Sequence, residues 1–303
     1  DQGVSFGELL STSIICAYLN HVGIAAEWVD ARSCIKTDNF YRSAHLNWEQ
    51  TQSAIQDQIQ GNVLKVTQGF IASDENNFTT TLGREGSDYS AAIFAYCMGA
   101  IDVTIWKDVQ GVLNADPRVF DKTQLLEHIS YQEAIELAFY GASVIHPKTL
   151  QPLQRKEIPL YVKSFLNPKQ KGTKVGKGVR MQPEIPCYIV KKGLSLLRLS
   201  TRDFSFVVED NISDIFKLLH EHKMSVDVIQ NSAISFSVCV EDKYHNMDAL
   251  LLSLRSRFDV KHTPDVSLYT IRHFEENSAS TLLSTHELVL EQRTATTLQL
   301  VLK

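Results

Sequence analysis

Between residues 8 and 163 the spacing of apolar residues alternates between a helical and an extended period, and few architectures satisfy that alternation. Leu9, Leu10, Ile14, Ile15, Tyr18 and Leu19 recur at three- and four-residue steps, which predicts an amphipathic helix over 8–22. A short strand over 25–29, a polar-faced helix over 47–60 and a strand over 62–71 follow. A helix over 88–98, a strand over 102–106, a helix over 131–140 and a strand over 160–163 continue the series. Strands separated by helices of this length pair in parallel through crossovers, so this part is expected to be an α/β layered domain with a mainly parallel sheet. Ligands on such sheets bind beyond the carboxyl ends of the strands.

The alternation stops at 167–186, where Lys, Gly and Pro dominate, and this stretch reads as a solvated linker. Beyond it the order changes to a strand over 195–199, a helix over 212–222, strands over 225–230 and 233–240, a helix over 247–258 and a strand over 259–262. That is one βαββαβ unit. A strand over 267–273, a helix around 280–283 and strands over 287–292 and 296–302 form a second pass that lacks a helix and a strand. The expected organisation is a domain over 1–166, a linker over 167–186 and a region over 187–303, with a full unit at about 190–263 and an abbreviated one at about 264–303. Such four-stranded sheets, with helices on one face, pair edge to edge with copies of themselves.

Composition removes several classes of function. With 35 Asp and Glu against 30 Lys and Arg, the chain has no large positive field for a phosphate backbone, and no nucleic-acid partner is expected. The longest nearly unbroken apolar run, 91–101, is far short of the ~20 residues of a membrane helix, so a soluble cytoplasmic protein is the expectation. Five cysteines without a CxxC pair fit reduced thiols, and ten histidines without ligand spacing predict no metal cage built from protein side chains.

Three stretches could carry chemistry. Thr79-Thr80-Thr81-Leu82-Gly83-Arg84-Glu85-Gly86-Ser87-Asp88 lies between a strand and a helix, where backbone N–H groups attract anions and Arg84 can grip a carboxylate or phosphate with two hydrogen bonds. An Asp-capped helix after a polar turn explains the same residues, and local physics leaves the two readings even. Trp106-Lys107-Asp108-Val109-Gln110-Gly111-Val112-Leu113-Asn114-Ala115-Asp116-Pro117-Arg118 stands at the carboxyl end of the next strand, though Asp116-Pro117 is also an ordinary turn pair. In Gly141-Ala142-Ser143-Val144-Ile145-His146-Pro147, His146 is expected to be structural, with no part in proton transfer.

In this order, and together with Gly7-Glu8-Leu9-Leu10-Ser11, Thr67-Gln68-Gly69-Phe70 and Ser225-Val226-Asp227-Val228-Ile229, these stretches resemble the aspartate kinases of the amino-acid kinase family, followed by their ACT regulatory region. The Thr-Thr-Leu-Gly-Arg-x-Gly-Ser-Asp pattern separates them from the uridylate and acetylglutamate kinases that share the fold. The resemblance implies a three-layer αβα kinase domain and ferredoxin-like ACT units that form a homodimer. It also implies phosphoryl transfer from ATP, with Mg²⁺, to the side chain of L-aspartate, the first step of lysine, threonine and methionine biosynthesis. A free aspartate side chain, with a pKa of about 3.9, is ionised at neutral pH, so no general base is needed and catalysis rests on positioning and charge neutralisation.

By the same resemblance Glu8 holds the substrate's ammonium group, Arg84 its α-carboxylate, Glu85, Gly86 and Ser87 complete the pocket, and Asp88 organises the transfer site. Lys107, Asp108, Leu113, Arg118, Ser143 and Val144 fall at ATP-contacting positions. Ser143 stands where the family often has a Lys, Leu113 where some members have a Tyr, and Lys107 where some have a Thr; the Lys107 cation is expected to replace part of the missing charge. Asn211, Ile212, Ser225, Asp227 and Ser232 are the implied contacts of an inhibitory lysine or threonine, Asp227 neutralising its ammonium group. The family's opening Lys-Phe-Gly-Gly segment occurs nowhere in the sequence, so the kinase domain is expected to be incomplete at its N-terminus, and a catalytically inactive amino-acid-sensing subunit is the alternative.

Overall fold

The computed structural model describes residues 1–142, 144–203 and 205–303, which divide into two compact units, Asp1–Glu184 and Ile185–Lys303. The first opens with α1 (Gln2–His21), β1 (Ala26–Trp28), α2 (Ala31–Cys34), α3 (Trp48–Gln58), β2 (Leu64–Val66), β3 (Ile71–Ser73) and β4 (Thr79–Thr81). It continues with α4 (Gly86–Met98), β5 (Val103–Lys107), β6 (His128–Ser130), α5 (Tyr131–Tyr140), α6 (Pro147–Lys156), β7 (Leu160–Ser164) and β8 (Thr173–Gly176). β1 and β2 pair in parallel, β3 and β4 form an antiparallel hairpin, and β5-β7-β8-β6 form a mixed sheet in which β5 is parallel to β7 and β6 to β8. Ile35, Ile55, Ala72, Leu82 and Ile93 have no solvent exposure and knit α3, α4 and the hairpin into one core; full burial of each large side chain stabilises by about 1.5–3 kcal/mol.

Four expectations change. The helix over 8–22 forms, but Phe6, Leu10, Ile14, Tyr18 and Val22, spaced four apart, lie in an exposed ridge, whereas Ser5, Thr12 and Cys16 face inward. The inward face is polar because it is hydrogen-bonded: Trp28 Nε1 and Gln68 Nε2 donate to Thr12 Oγ1 at 3.0 and 2.8 Å. The strand over 62–71 is broken between β2 and β3, where Phe70 takes a left-handed φ of 51° that a continuous strand forbids. A helix that the sequence reading passed over starts at Pro147, with His146 as its N-cap and proline in the first turn, where a missing N–H costs nothing. The stretch read as a linker contains β8, whose Thr173 and Val175 are fully buried between β7 and β6; Lys174 at its outward position, with Lys171 and Lys177 on either side, hides the alternation. The two units meet between Glu184 and Ile185, near the end of that stretch.

The second unit is built on β9 (Cys187–Ser200), α7 (Glu209–Glu221), β10 (Ser225–Asn231), β11 (Ser235–Glu241), α8 (Met247–Arg255), β12 (Asp259–Arg272), α9 (Ser280–Thr285), β13 (Leu288–Arg293) and β14 (Thr297–Leu302). Its sheet runs β10-β11-β9-β12-β14-β13. β9 and β12 are long enough to serve two half-sheets. Leu194–Ser200 and Asp259–Val266 complete the expected βαββαβ unit, with Leu197, Leu199, Phe236 and Val238 packed under α7 and α8. The second pass does acquire a fourth strand: Cys187–Lys191 pair with Arg272–Leu268, so β13-β14-β12-β9 repeats the order of the first half-sheet. That strand precedes the first unit in the chain, which is why a linear reading finds it missing.

Candidate active site at the start of helix four

The turn from β4 into α4 uses Gly83 at φ +79° and Glu85 at φ 56°. Ser43 Oγ and Arg42 O lie 3.1 and 3.3 Å from where a Gly83 Cβ would be, so the loop over 38–45 walls this turn. Glu85 is the N-cap residue of α4 but makes no side-chain cap bond, which leaves the first-turn N–H groups without that partner. Arg84 and Ser87 are exposed here, and Glu85 and Asp88 half-buried.

Two glycines lock the turn against the segment before β3. A Cβ on Gly69 would lie 2.7 Å from Ser87 Oγ, and one on Gly86 would lie 2.6 Å from Phe70 Cβ. Phe70 N donates to Ser90 Oγ at 2.9 Å, and Ser90 Oγ donates to Gly86 O at 3.0 Å. Gln68, buried, accepts from Ala31 N at 2.8 Å and donates to Thr12. Glu8 is one turn before Thr12 on α1 and half-buried, so the Thr67–Phe70 stretch is the scaffold that ties the α1 residues to the α4 turn.

Lys107 ends β5, and its chain direction is fixed by parallel pairing with β7 and by the bond from Phe165 N to Lys107 O at 2.7 Å. Its Nζ lies 2.8 Å from Asp88 Oδ2 and 3.6 Å from Glu85 Oε2. Asp88 Oδ2 is almost wholly shielded from solvent and receives no in-line hydrogen bond, so the Lys107 charge is what compensates it. His146 Nδ1 accepts from Lys148 N at 3.2 Å, as a helix cap does. Burial, with the charges of Lys148 and Arg84, holds the His146 pKa below the ordinary histidine value, and the neutral ring is the form that can accept this bond. Lys148 also stands over the Tyr89 ring of α4, 5.9 Å from its centroid. The sequence reading missed Lys148; a lysine just after His-Pro at a helix start was the available signal.

The other nucleotide positions spread along the loop after β5. Asp108 is exposed, and Leu113 is half-buried in a bridge to Leu125. Arg118 points into solvent with its guanidinium clasped by Asp116, at 3.0 Å from Nε to Oδ1 and 2.7 Å from Nη2 to Oδ2. Val144 is half-buried just ahead of His146, and Ser143 lies outside the described residues. Lys107 is therefore joined to the α4 turn, while among the described residues Leu113 bridges to Leu125 and Arg118 pairs with Asp116.

The five inhibitor candidates do not gather within one copy. Asn211 Oδ1 accepts Val208 N at 3.0 Å, Ile212 packs on the core, and the bond from Val207 N to Ala233 O seats this end of α7 beside Ser232 in the β10–β11 turn. Ser225 opens β10 at the opposite end, roughly 20 Å away at about 3.3 Å of rise per residue. Between them the Asp227 carboxylate, only 7% exposed, is ion-paired by Lys191, while its Oδ2 has no hydrogen-bond partner.

The uncapped start of α4 thus gathers Arg84, Lys107 and, over the Tyr89 ring, Lys148, beside the carboxylates of Glu85 and Asp88. The chain belongs to the amino acid kinase family, whose model matches residues 1–164. It is 34% identical over 244 residues to lysine-sensitive aspartokinase 3 of Escherichia coli (strain K12), covering 80% of this chain and 54% of that protein. It is 36% identical over 251 residues to chloroplastic aspartokinase 1 of Arabidopsis thaliana, covering 80% of this chain and 43% of that protein. The chain thus spans about half the length of these curated relatives. The crystal structure of E. coli aspartokinase III in complex with aspartate and ADP superposes with a TM-score of 0.78 at 28% identity, covering 99% of this chain and 71% of that one. The same enzyme in complex with lysine and aspartate gives a TM-score of 0.80.

Proposed function

We propose that this protein is an aspartate kinase, which transfers the γ-phosphoryl group of ATP to the side-chain carboxylate of L-aspartate and releases 4-phospho-L-aspartate and ADP. The observation that carries this reading is the Arg84–Asp88 run at the uncapped start of α4, with Lys107 ion-paired beside it. Arg84 grips the α-carboxylate, Glu8 receives the ammonium group, and Ser87 with the first-turn N–H groups of α4 orients the reacting end. Lys107, Asp108, Leu113, Arg118, Ser143 and Val144 serve the nucleotide.

Among the described residues no three acidic, His or Cys side chains converge as a metal cage. The carboxylates of Asp88 and Glu85 already face Lys107. Mg²⁺ supplied with the nucleotide would offset the charge of its phosphates. A lysine or threonine effector acts on the second unit through Asp227, and paired copies of that unit form the dimer.

The test is aspartate-dependent ADP release by the purified protein, with hydroxylamine added to trap the acyl phosphate as a hydroxamate. Formation of ADP and hydroxamate in equal amounts supports the assignment. Hydroxamate formed from a different amino acid, with none from aspartate, overturns it.

A further inference from the structure

An ion pair at a half-open surface contributes little to stability, about 0–1 kcal/mol. Lys107 is held in a way such a pair does not require. Its side chain is 20% exposed, and two carboxylates, Asp88 at 2.8 Å and Glu85 at 3.6 Å, converge on its one ammonium. Asp88 commits a shielded oxygen to it without an in-line hydrogen bond. Both acids belong to the first turn of α4 and its N-cap, and the lysine ends a parallel strand, so two elements fix one cation where β5 delivers its ligand end. Packing alone would be served by an apolar side chain, since a partly desolvated ion pair gains little over one. A fixed cation matters where charge moves.

We infer that Lys107 neutralises the γ-phosphoryl group in transfer, and that Asp88 and Glu85 are positioning residues that hold its ammonium at the start of α4. This role rests on the kinase reading and goes past a nucleotide contact, because it assigns the cation to the reacting phosphoryl group. In the step, an aspartate carboxylate oxygen forms a bond to the γ-phosphorus as the bond from that phosphorus to the β–γ bridging oxygen breaks. The electron pair leaves with ADP, and no proton is transferred. Lys107 keeps one face on the two acids and the other on the phosphoryl oxygens.

The experiment titrates the protein and its variants, by calorimetry with Mg²⁺ present, with ADP and with the non-hydrolysable β,γ-imido analogue of ATP. Lys107→Met is expected to weaken the analogue about tenfold or more and ADP less than about threefold, and to lower kcat for aspartate-dependent ADP release about 100-fold. Lys107→Arg is expected to recover part of both losses, and Asp88→Asn to lower kcat without changing ADP affinity. Lys107→Gln, which keeps polar contact with the two acids, is expected to show the same selective loss if the methionine variant fails to fold. Equal loss of ADP and analogue, or an unchanged kcat, overturns the role. If aspartate is not turned over yet the preference for the analogue disappears in Lys107→Gln, the substrate assignment fails while the Lys107 assignment stands.

Discussion

Gly69 and Ser87 touch: the position a Gly69 Cβ would occupy is 2.7 Å from Ser87 Oγ and 3.0 Å from Ser87 Cα. The backbone contact makes this close approach costly to relieve, because a side-chain rotation cannot move Cα. Gly69→Ala is expected to destabilise the first unit by about 1–3 kcal/mol, as overpacking does, and to displace the start of α4. Gly86→Ala, facing Phe70 Cβ at 2.6 Å, is expected to act in the same way. Urea denaturation reads the first effect and kcat the second; a variant with wild-type values of both would show that the two segments are not locked.

His146 gives a pH signature. Its folded pKa is depressed by burial and by the charges of Lys148 and Arg84, while the unfolded value is about 6.5. A depressed histidine contributes stability that is full above the unfolded pKa and is lost as pH falls through the folded one. The bond at stake is the cap to Lys148 N, worth about 1 kcal/mol. Between pH 7 and pH 5 the wild type is expected to lose more stability than His146→Asn, which keeps a cap acceptor that does not titrate. Parallel declines in the two proteins would remove His146 from the account.

Much of this was legible because it is local. The helix and strand periods gave α4, β5, α5 and β7 to within about two residues, and the Thr79–Asp88 run marked the α4 turn from chemistry alone. What could not be read is non-local. Cys187–Lys191 complete a half-sheet whose other strands begin about 80 residues later, and nothing in their own spacing names that partner. Lys107 and Asp88 are 19 positions apart, and only the crossover from α4 into β5 brings their charges together. The α1 ridge misled for another reason. Its apolar spacing is regular, but Thr12 found two hydrogen-bond donors in Trp28 and Gln68, and the helix turned its polar face to them.

The second unit offers a cap without a preceding helix-start signature. Asp242 stands four and five residues before the amides it serves, accepting Asn246 N at 3.0 Å and Met247 N at 2.8 Å at the start of α8. Burial raises its pKa, but the donors Asn246, Met247 and Tyr244 outweigh burial and leave it below the ordinary carboxylate value. Its contribution is therefore present above the unfolded pKa of about 3.9 and lost as pH falls through the folded value. Asp242→Ala is expected to cost about 1 kcal/mol at neutral pH, with the difference from wild type shrinking at the acid end of that range. A constant difference down to pH 2 would contradict the capping role.

Lys191 and Asp227 set the terms for any amino-acid effector of the second unit. The Asp227 carboxylate is 7% exposed and is already neutralised by the Lys191 ammonium, so an effector's ammonium must compete with a tethered cation of the same chemistry. Removing that cation leaves a buried carboxylate unpaired, with a cost on the order of 3 kcal/mol. Lys191→Met is therefore expected to lower the thermal midpoint, and added lysine or threonine is expected to restore part of it, more in the variant than in the wild type. The gain should vanish in the double variant Lys191→Met, Asp227→Asn, which has no carboxylate to neutralise. Equal shifts in all three proteins would place any effector elsewhere on the chain.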